Sequence, residues 1–565
     1  MKLERKPLRG AVIATLLTLL GGFLYFYFTL PALNIHNLDA YLFVAVLIIV
    51  WCSLYGLFSH TIRRDDTSEK TPTDYLDVDE DGNVVGKARP QKPAIFSMKI
   101  PMFILGAMLV VVVVGTVIGM PIFRAKSYSQ LLNVETSDFT TDIAEINYRQ
   151  IPMLDSDAAQ VLADRKLGQL SELVSQFEVA NITSQINYQD QPVRVTYLNY
   201  GDFFKWLNNV SEGIPAYIII DMVSQEVTVQ QMEEGIRYSP SEYFFRDISR
   251  YLRFCYPTKM FSEVNFEIND EGEPYWIATE VTKTIGLFGG EDVKGAVLVN
   301  AVTGEHTYYD VEDVPTWVDR VYPASLLIEQ YNYYGQLHNG FLNSMFGQRE
   351  VTVTTEGYNY IARNDDVWLY TGITSVTGDE SNVGFILVNQ RTKDAKYYPI
   401  AGAKELSAVS SAQGAVQQYQ YKATFPLLLN VSGQPTYFMA LKDASSLVKM
   451  YAMVNVEQYQ IVAVGSSLAE CEKNYIRLME QNQIHTSGGV TGDADTVTGA
   501  VAEIRSAVMD GNTVYFLRLE GDNFYYTVKV SDAQLCAILN VGDRVTISSY
   551  DEEGELRSAV SVERA

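Results

Sequence analysis

The chain has 565 residues, 47% hydrophobic and 20% charged, which rules out a wholly disordered polymer and calls for several structural units. Asp and Glu (68) outnumber Lys and Arg (43), and a net charge of −25 argues against a nucleic-acid binder, which needs basic groups to displace counterions from phosphates. Four Cys without a CxxC pair exclude a disulfide scaffold and give no zinc site.

The first elements in chain order are three apolar stretches, 11–30, 41–58 and 100–122, free of Asp, Glu, Lys and Arg. Each is close to the roughly 20 helical residues that cross a bilayer. The first follows Lys2, Arg5, Lys6 and Arg9 as a signal peptide would. It is long, however, and lacks a small-x-small cleavage site, so it reads as a retained anchor. Lys and Arg cluster in the N-terminal tail and in the 59–99 loop, and the connection 31–40 carries none. That bias predicts a cytoplasmic N-terminus and loop, with residues 127–565 extracytoplasmic at a cell membrane. Residues 1–126 hold 13 basic and 10 acidic side chains, so the acidity belongs to the exported body. No ionisable group marks an ion path through the spans, and Gly21, Gly22, Gly115 and Gly119 are expected to pack helix on helix. In the loop, Asp77-Val-Asp79-Glu-Asp81-Gly82 opens like a calcium loop but places Ala88 where a bidentate Glu is needed, so a polar turn between two extended runs is expected.

Past residue 126 the chain repeats itself. Val297-Leu-Val-Asn300-Ala-Val-Thr303-Gly-Glu-His-Thr-Tyr308-Tyr309 aligns with Ile386-Leu-Val-Asn389-Gln-Arg-Thr392-Lys-Asp-Ala-Lys-Tyr397-Tyr398 at an offset of 89, with fainter copies around Asp221 and Asn455. Each copy reads as strand, Asn/Asp turn, strand, with another extended run upstream. Helices are expected over 156–177, 239–254, 314–333, 404–418 and 467–481, the second opening on Ser239-Pro-Ser-Glu242, each covering one face of a half-buried sheet. The units run 127–258, 259–345, 346–420 and 421–481. The turn Val299-Asn-Ala-Val-Thr-Gly-Glu305 resembles the D/N-x-x-T-G-E turn of the PepSY family; the third unit has Thr392-Lys-Asp, and the first and fourth lack the glycine. This resemblance, over 185–481, implies small exported α+β domains that bind peptides or restrain proteases, with no catalytic residues.

A Gly-rich linker, 482–495, leads to strand-like runs at 496–508, 513–520, 523–530, 544–550 and 556–563, with a short helix at 532–539. Three strands, a helix and two strands resemble an OB-fold barrel. Such barrels hold oligonucleotides or oligosaccharides, and with 6 basic and 11 acidic residues this one favours glycan or peptide. Tyr515, Tyr525 and Tyr526 are its candidate binding residues. Trp317, Tyr322, Tyr331, Tyr333 and Tyr334 are candidates for a second aromatic rim. Strand aromatics also serve as core, and that is the competing explanation for each.

The chain has no HExxH, GxSxG or Walker A motif. Ser446-Leu-Val-Lys449 matches S-x-x-K without its partner motifs, Lys283-Thr-Ile-Gly286 only approaches KTG, and Cys255, Cys471 and Cys536 read as core. No metal or cofactor is implied. The expected fold class is thus a membrane-anchored α+β protein: three N-terminal transmembrane helices, repeated antiparallel sheet-plus-helix units and a C-terminal five-stranded barrel. The expected function is a non-catalytic envelope scaffold or regulator that engages a protein, peptide or wall polymer. The alternatives are a hydrolase around Ser446 or Cys255, and a sensor acting through the 59–99 loop.

Overall fold

The computed structural model describes residues 7–64, 76–78, 84–87, 99–145, 151–363, 365–375, 381–482, 484, 495–509, 512–529, 533–549 and 556–565. Residues 79–82 of the calcium-loop-like run and most of the linker lie outside these residues. The strands flanking that run, Leu76–Val78 and Val84–Lys87, pair antiparallel.

Three helices, α1 (Pro7–Thr29), α2 (Leu38–Arg64) and α3 (Lys99–Ile118), are each long and apolar enough to cross a membrane. A short helix with Pro in its first turn, α4 (Pro121–Ser129), continues from α3. The chain then straps the body before building it. Val134–Thr136 adds parallel to the strand Ala395–Tyr398, and one-turn α5 (Phe139–Asp142) brings Asp142 onto Arg363, Lys396 and Tyr398. Glu145 bridges to Asn430, and the Met153 amide donates to the Met222 carbonyl. Residues 134–145 therefore contact the third and fourth units before α6 (Ser156–Gly168, capped by Asp155) and α7 (Ser171–Val174) open the first.

Four antiparallel sheets follow, each centred on a three-stranded meander whose first strand also pairs with strands before it. The meanders are Gln191–Tyr200, Ile214–Asp221 and Val227–Ile236 in sheet A; Pro274–Ile285, Gly289–Asn300 and His306–Asp310 in sheet B; Asp366–Ser375, Gly384–Asn389 and Ala395–Tyr398 in sheet C; Gln434–Lys442, Val448–Asn455 and Val462–Gly465 in sheet D. At the second turn of each meander the same residue closes the same loop. Asp221, Asn300, Asn389 and Asn455 each accept, through Oδ1, the backbone N–H groups two and three residues on, at 2.8–3.1 Å. The repeat visible in the sequence is therefore one Asx turn used four times.

The sheets are stacked and share their cores. In sheet B, Trp276, Ala278, Val297 and Val299 pack toward sheet A, while Ile277, Ala296 and Leu298 pack toward sheet C. In sheet C, Leu369, Ile386 and Val388 join that second layer, while Trp368, Tyr370, Phe385 and Leu387 face Tyr437, Met439, Ala452 and Val454 of sheet D. Strand alternation thus sorts apolar residues between two interiors, and these strands are buried on both faces where half-burial was expected. The helices fill the gaps between sheets. Helix α9 (Ile248–Cys255) sits in the A–B layer, α10 (Ala324–Leu337) in B–C and α11 (Glu405–Ala415) in C–D, while α12 (Leu468–Gln481) covers the outer face of sheet D.

Two helices are shorter than their apolar periodicity suggests. Helix α9 begins at Ile248, with Asp247 as its cap, because Glu242 is buried as the acceptor for Tyr200 and Trp206 and does not stay in a solvated first turn. Helix α10 begins after Pro323, since the Asp319 and Arg320 amides are already donated to Glu267. The C-terminal strands Asp495–Met509, Asn512–Leu519, Tyr525–Lys529, Arg544–Ser549 and Leu556–Arg564 pair in the order first-second-third-fifth-fourth, and the fourth pairs back to the first. This sheet closes around a core of its own, including Val501, Leu517, Tyr526, Val545 and Ile547.

Candidate functional site

The most distinctive site is the seam where the three helices meet the stacked body. It is built from two projections. The first is α9, whose Phe254 ring lies 5.4 Å from Phe26 and 6.2 Å from Tyr27 on α1. On the same helix, Arg253 Nε donates to the Leu30 carbonyl at 2.9 Å and its Nη1 to the carbonyls of Tyr256 and Lys259. One guanidinium thus satisfies the orphan C=O at the end of α1 together with two body carbonyls, which is what a planar five-donor group can do. The second projection is the tip of the sheet B hairpin, Ile285-Gly-Leu-Phe-Gly289. Phe288 packs on Tyr41 of α2 at 5.7 Å, and the Leu287 carbonyl is 2.8 Å from His36 Nδ1.

Gly115 and Gly119 belong to this second contact. A Cβ at Gly115 would lie 2.9 Å from Leu287 and 3.1 Å from Phe288, and one at Gly119 would meet the Ile285 carbonyl at 3.2 Å. Their spacing therefore seats a β-hairpin, correcting the expectation of helix-on-helix packing; only Gly22 meets a neighbouring helix, at Leu47. Tyr128 on α4 locks the seat by donating to the Gly119 carbonyl at 2.7 Å. All these contacts fall at one end of the helices: the end of α1, the start of α2 and the end of α3. The 59–99 loop leaves from the opposite end.

Between the projections lies a cleft of about 490 Å³. Leu38, Met260 and Phe288 form its apolar wall, and His36, Asp39, Arg253, Lys283 and Glu291 its polar wall. Lys283 is ion-paired with Glu291, and Arg253 is held by carbonyls. An amphipathic cleft with its charges already paired suits binding better than acid–base chemistry.

A second cluster of perturbed groups is sealed inside the stack. Glu267 accepts the amide N–H groups of Asp319 (3.0 Å) and Arg320 (3.1 Å), Asp319 Oδ2 accepts that of Asn187 (2.6 Å), and Asp319 Oδ1 is buried without a partner. Burial, and for Asp319 also the neighbouring Glu267, raises both carboxyls above their ordinary values. Asn187 also reaches Asp365 through its side chain at 3.0 Å, so the cluster pins units one, two and three together. It has no access to solvent and reads as a joint.

The aromatic candidates divide by burial. Tyr322 and Tyr331 lie in the B–C layer, and Tyr526 fills the barrel core, donating to Asp522; none of the three offers a face to a ligand. Trp317 packs on Tyr275 at 5.2 Å, Tyr333 lies 4.6 Å from Tyr128 beside the seam, and Tyr334 stacks on His338. Tyr515 packs against the barrel core, and Tyr525 donates to Glu503 with Arg518 over its ring. Tyr525 remains the most accessible in chemistry, but the structure brings the two groups of aromatics into no common site. The catalytic candidates lack their partners. Lys449 pairs with Asp443 at 3.6 Å, and Ser446 occupies a left-handed turn position (φ 59°) whose amide bonds Asp443. The Cys255 thiol is pushed up by burial, the wrong direction for a nucleophile, and His306 is bonded to Tyr256 while His338 lies on Tyr334. Among the described residues no cluster of ligating side chains could hold a metal.

The seam residues were missed in the sequence, although a signal was present: an apolar Leu287-Phe288 pair bracketed by glycines in a strongly acidic body. No family model matches the sequence, and no curated protein does. Among solved structures, a mutant of Trypanosoma rangeli sialidase displaying trans-sialidase activity is 9% identical over 67% of this chain. The chain spans about half (52%) of that structure's length, and the TM-score of 0.16 is too low to bear on fold or function.

Proposed function

We propose that the protein is a multi-pass membrane anchor for a non-catalytic extracytoplasmic body that binds an envelope protein, peptide or cell-wall polymer and holds it at a fixed height above the bilayer. The observation that carries this reading is the seam: both α9 and the sheet B hairpin are fastened to the helix ends, consecutive sheets share cores, and the fourth unit also reaches the first through Lys442–Asp155 and Gln225–Tyr451, so the body is tied together and to its anchor. A body on one side of the helices and the 59–99 loop, with its seven Lys and Arg, on the other also fits an N-terminus and loop in the cytoplasm. The shared Asx turn supports kinship of the four units with PepSY-like domains, although Gly304 of the second unit corresponds to Lys393 and Gln225, all at φ of 63–77°. The first-second-third-fifth-fourth strand order supports an OB-like C-terminal barrel that would bind a glycan or peptide. One observation favours a sensor as second reading: a displaced hairpin would push directly on α3, which leads back to the 59–99 loop.

The test is crosslinking of a tagged full-length copy in intact cells, with and without residues 496–565, followed by quantitative mass spectrometry. A stoichiometric partner or bound wall fragment that disappears with the barrel is the expected result. Turnover of an envelope substrate by the body, abolished by a single point substitution, would overturn it.

A further inference from the structure

Beside the seam, the body exposes large apolar side chains that no described residue covers. Phe204 is 73% exposed and Leu207 53% on the short helix α8 (Phe203–Asn209), and Phe244 is 60% and Phe245 54% on the loop opposite it. These residues form one surface: Phe203 lies 5.2 Å from Tyr243, and Trp206 6.0 Å from Phe244. The surface runs without a break into the transmembrane band, because Phe245 lies 5.7 Å from Tyr27 near the end of α1.

Three features show that the patch is held in place. Trp206 Nε1 and Tyr200 Oη both donate to the buried Glu242 carboxylate at 2.8 Å, which fixes the base of the patch. Phe244 sits at φ 54°, a left-handed conformation that a bulky aromatic avoids and that turns its ring outward. Arg250 Nη1 donates to the Phe244 carbonyl at 2.6 Å while its Nε reaches the Tyr27 carbonyl at 3.3 Å. A single guanidinium therefore ties the patch to the helix and sets it level with the helix end. On the other flank, beyond α10, Leu342 (70%) and Phe346 (83%) are exposed. Their neighbour Phe341 packs with Tyr128, the residue bonded to Gly119 at the end of α3.

We infer that these two patches are membrane-contact surfaces: the seam end of the body rests on the bilayer that its own helices cross, with Phe204, Phe244 and Phe245 on one side and Leu342 and Phe346 on the other immersed at the headgroup–acyl boundary. The occupant is lipid because the surface continues the transmembrane band. On the α8 flank the contact is apolar, since the nearby charges are paired: Lys205 with Asp202 at 3.5 Å and Arg250 with Asp247 at 3.9 Å. Zwitterionic lipid therefore suffices. Fully burying a Phe side chain yields roughly 1.5–3 kcal/mol, and rings of this kind settle roughly 5–10 Å into the interface. The inference rests on the reading that α1–α3 span the membrane, and the test separates the two.

The full chain, with Cys52→Ser and Cys255→Ser, is spin-labelled singly at Phe204→Cys, Phe245→Cys or Phe346→Cys and reconstituted in phosphatidylcholine nanodiscs. Collision with oxygen is compared with collision with a water-soluble nickel complex. Val111→Cys within α3 and Tyr419→Cys on the body report lipid and water. The expected result is an oxygen-to-nickel ratio at the three patch positions well above that at Tyr419 and below that at Val111, unchanged when phosphatidylglycerol is added. Patch ratios equal to that at Tyr419, with Val111 lipid-like, overturn the inference and leave the spanning reading intact. Patch labels shielded from both reagents mean a protein occupant and overturn it equally. A water-like Val111 removes the spanning reading and the inference with it. Thermal melts matching the parent chain establish that each labelled protein is folded.

Discussion

Asp221, Asn300, Asn389 and Asn455 show how little side chain is needed to specify a turn: one oxygen accepting two N–H groups closes each meander. In the first three meanders the residue that then reverses the chain, Gln225, Gly304 or Lys393, enters the left-handed region. Gly304 does so without steric cost, at φ 77°, and a Cβ there would lie 2.4 Å from the Tyr238 ring. Gly304→Ala should therefore cost the roughly 1–2 kcal/mol of a left-handed L-residue as well as the ring displacement, and lower the melting temperature of the stack by a few degrees. An unchanged melt would mean the turn is not held as described. The buried pair Glu267 and Asp319 supports a pH prediction. Both carboxyls are raised by burial, so the folded chain binds more protons than the unfolded one above the ordinary glutamate value of 4.5. Stability is then full below that value and is lost as pH rises through the raised folded values. Thermal unfolding should show a fall from about pH 5 to about pH 8, and Glu267→Gln, which removes the titrating group and keeps one of the two acceptor oxygens, should lower stability but flatten that fall. Parallel slopes in parent and variant would remove the pair as the source.

At the scale of elements, the hairpin tip of sheet B and α3 depend on each other. Gly115→Leu would push the side chains of Leu287 and Phe288 off their seat and break the path through His36 to the α1–α2 connection. Chymotrypsin should then cut the full-length variant at Leu287-Phe288 faster than the parent. Gly21→Leu, whose Cβ meets nothing within 4 Å, should not change the rate. Equal cleavage in all three proteins would mean the seat carries no restraint. The contrast also explains what was legible in the sequence. Helices α1–α3, the strands and the repeated turn each leave a local pattern of hydropathy or of Asn, Asp and Gly. The starts of α9 and α10 do not, because they are decided by Glu242 and Glu267, whose partners lie on other elements. The Gly115/Gly119 spacing was visible, but it looks the same whether a helix or a hairpin sits in the groove. Of the aromatic candidates, Tyr331 on α10 and Tyr322 just before it are covered by sheets B and C, and Tyr526 points into the barrel core; each burial is decided by packing against distant elements, which leaves no local pattern.

For the whole molecule, the way the cores are partitioned predicts how it unfolds. Consecutive sheets share their interiors, although sheet D has a further layer under α12: Trp276 belongs to the layer facing sheet A while its neighbour Ile277 belongs to the layer facing sheet C, and the same division recurs at Trp368 and Leu369. Removing one sheet would strip one face from the next, exposing Tyr370 and Phe385 if sheet D were lost, so the stack should melt as one cooperative unit. The barrel differs, since its core draws only on residues between Val497 and Val562. A module of this size buries only about 60% of its unfolded surface and should melt separately and earlier. Calorimetry of the full chain should resolve two transitions. Deleting residues 496–565 should abolish the smaller one and leave the larger in place, whereas deleting 421–481 should leave no cooperative stack transition at all. A single transition in the full chain, or a shift of the main one by more than a few degrees when the barrel is removed, would mean that barrel and stack are coupled through contacts outside their separate cores.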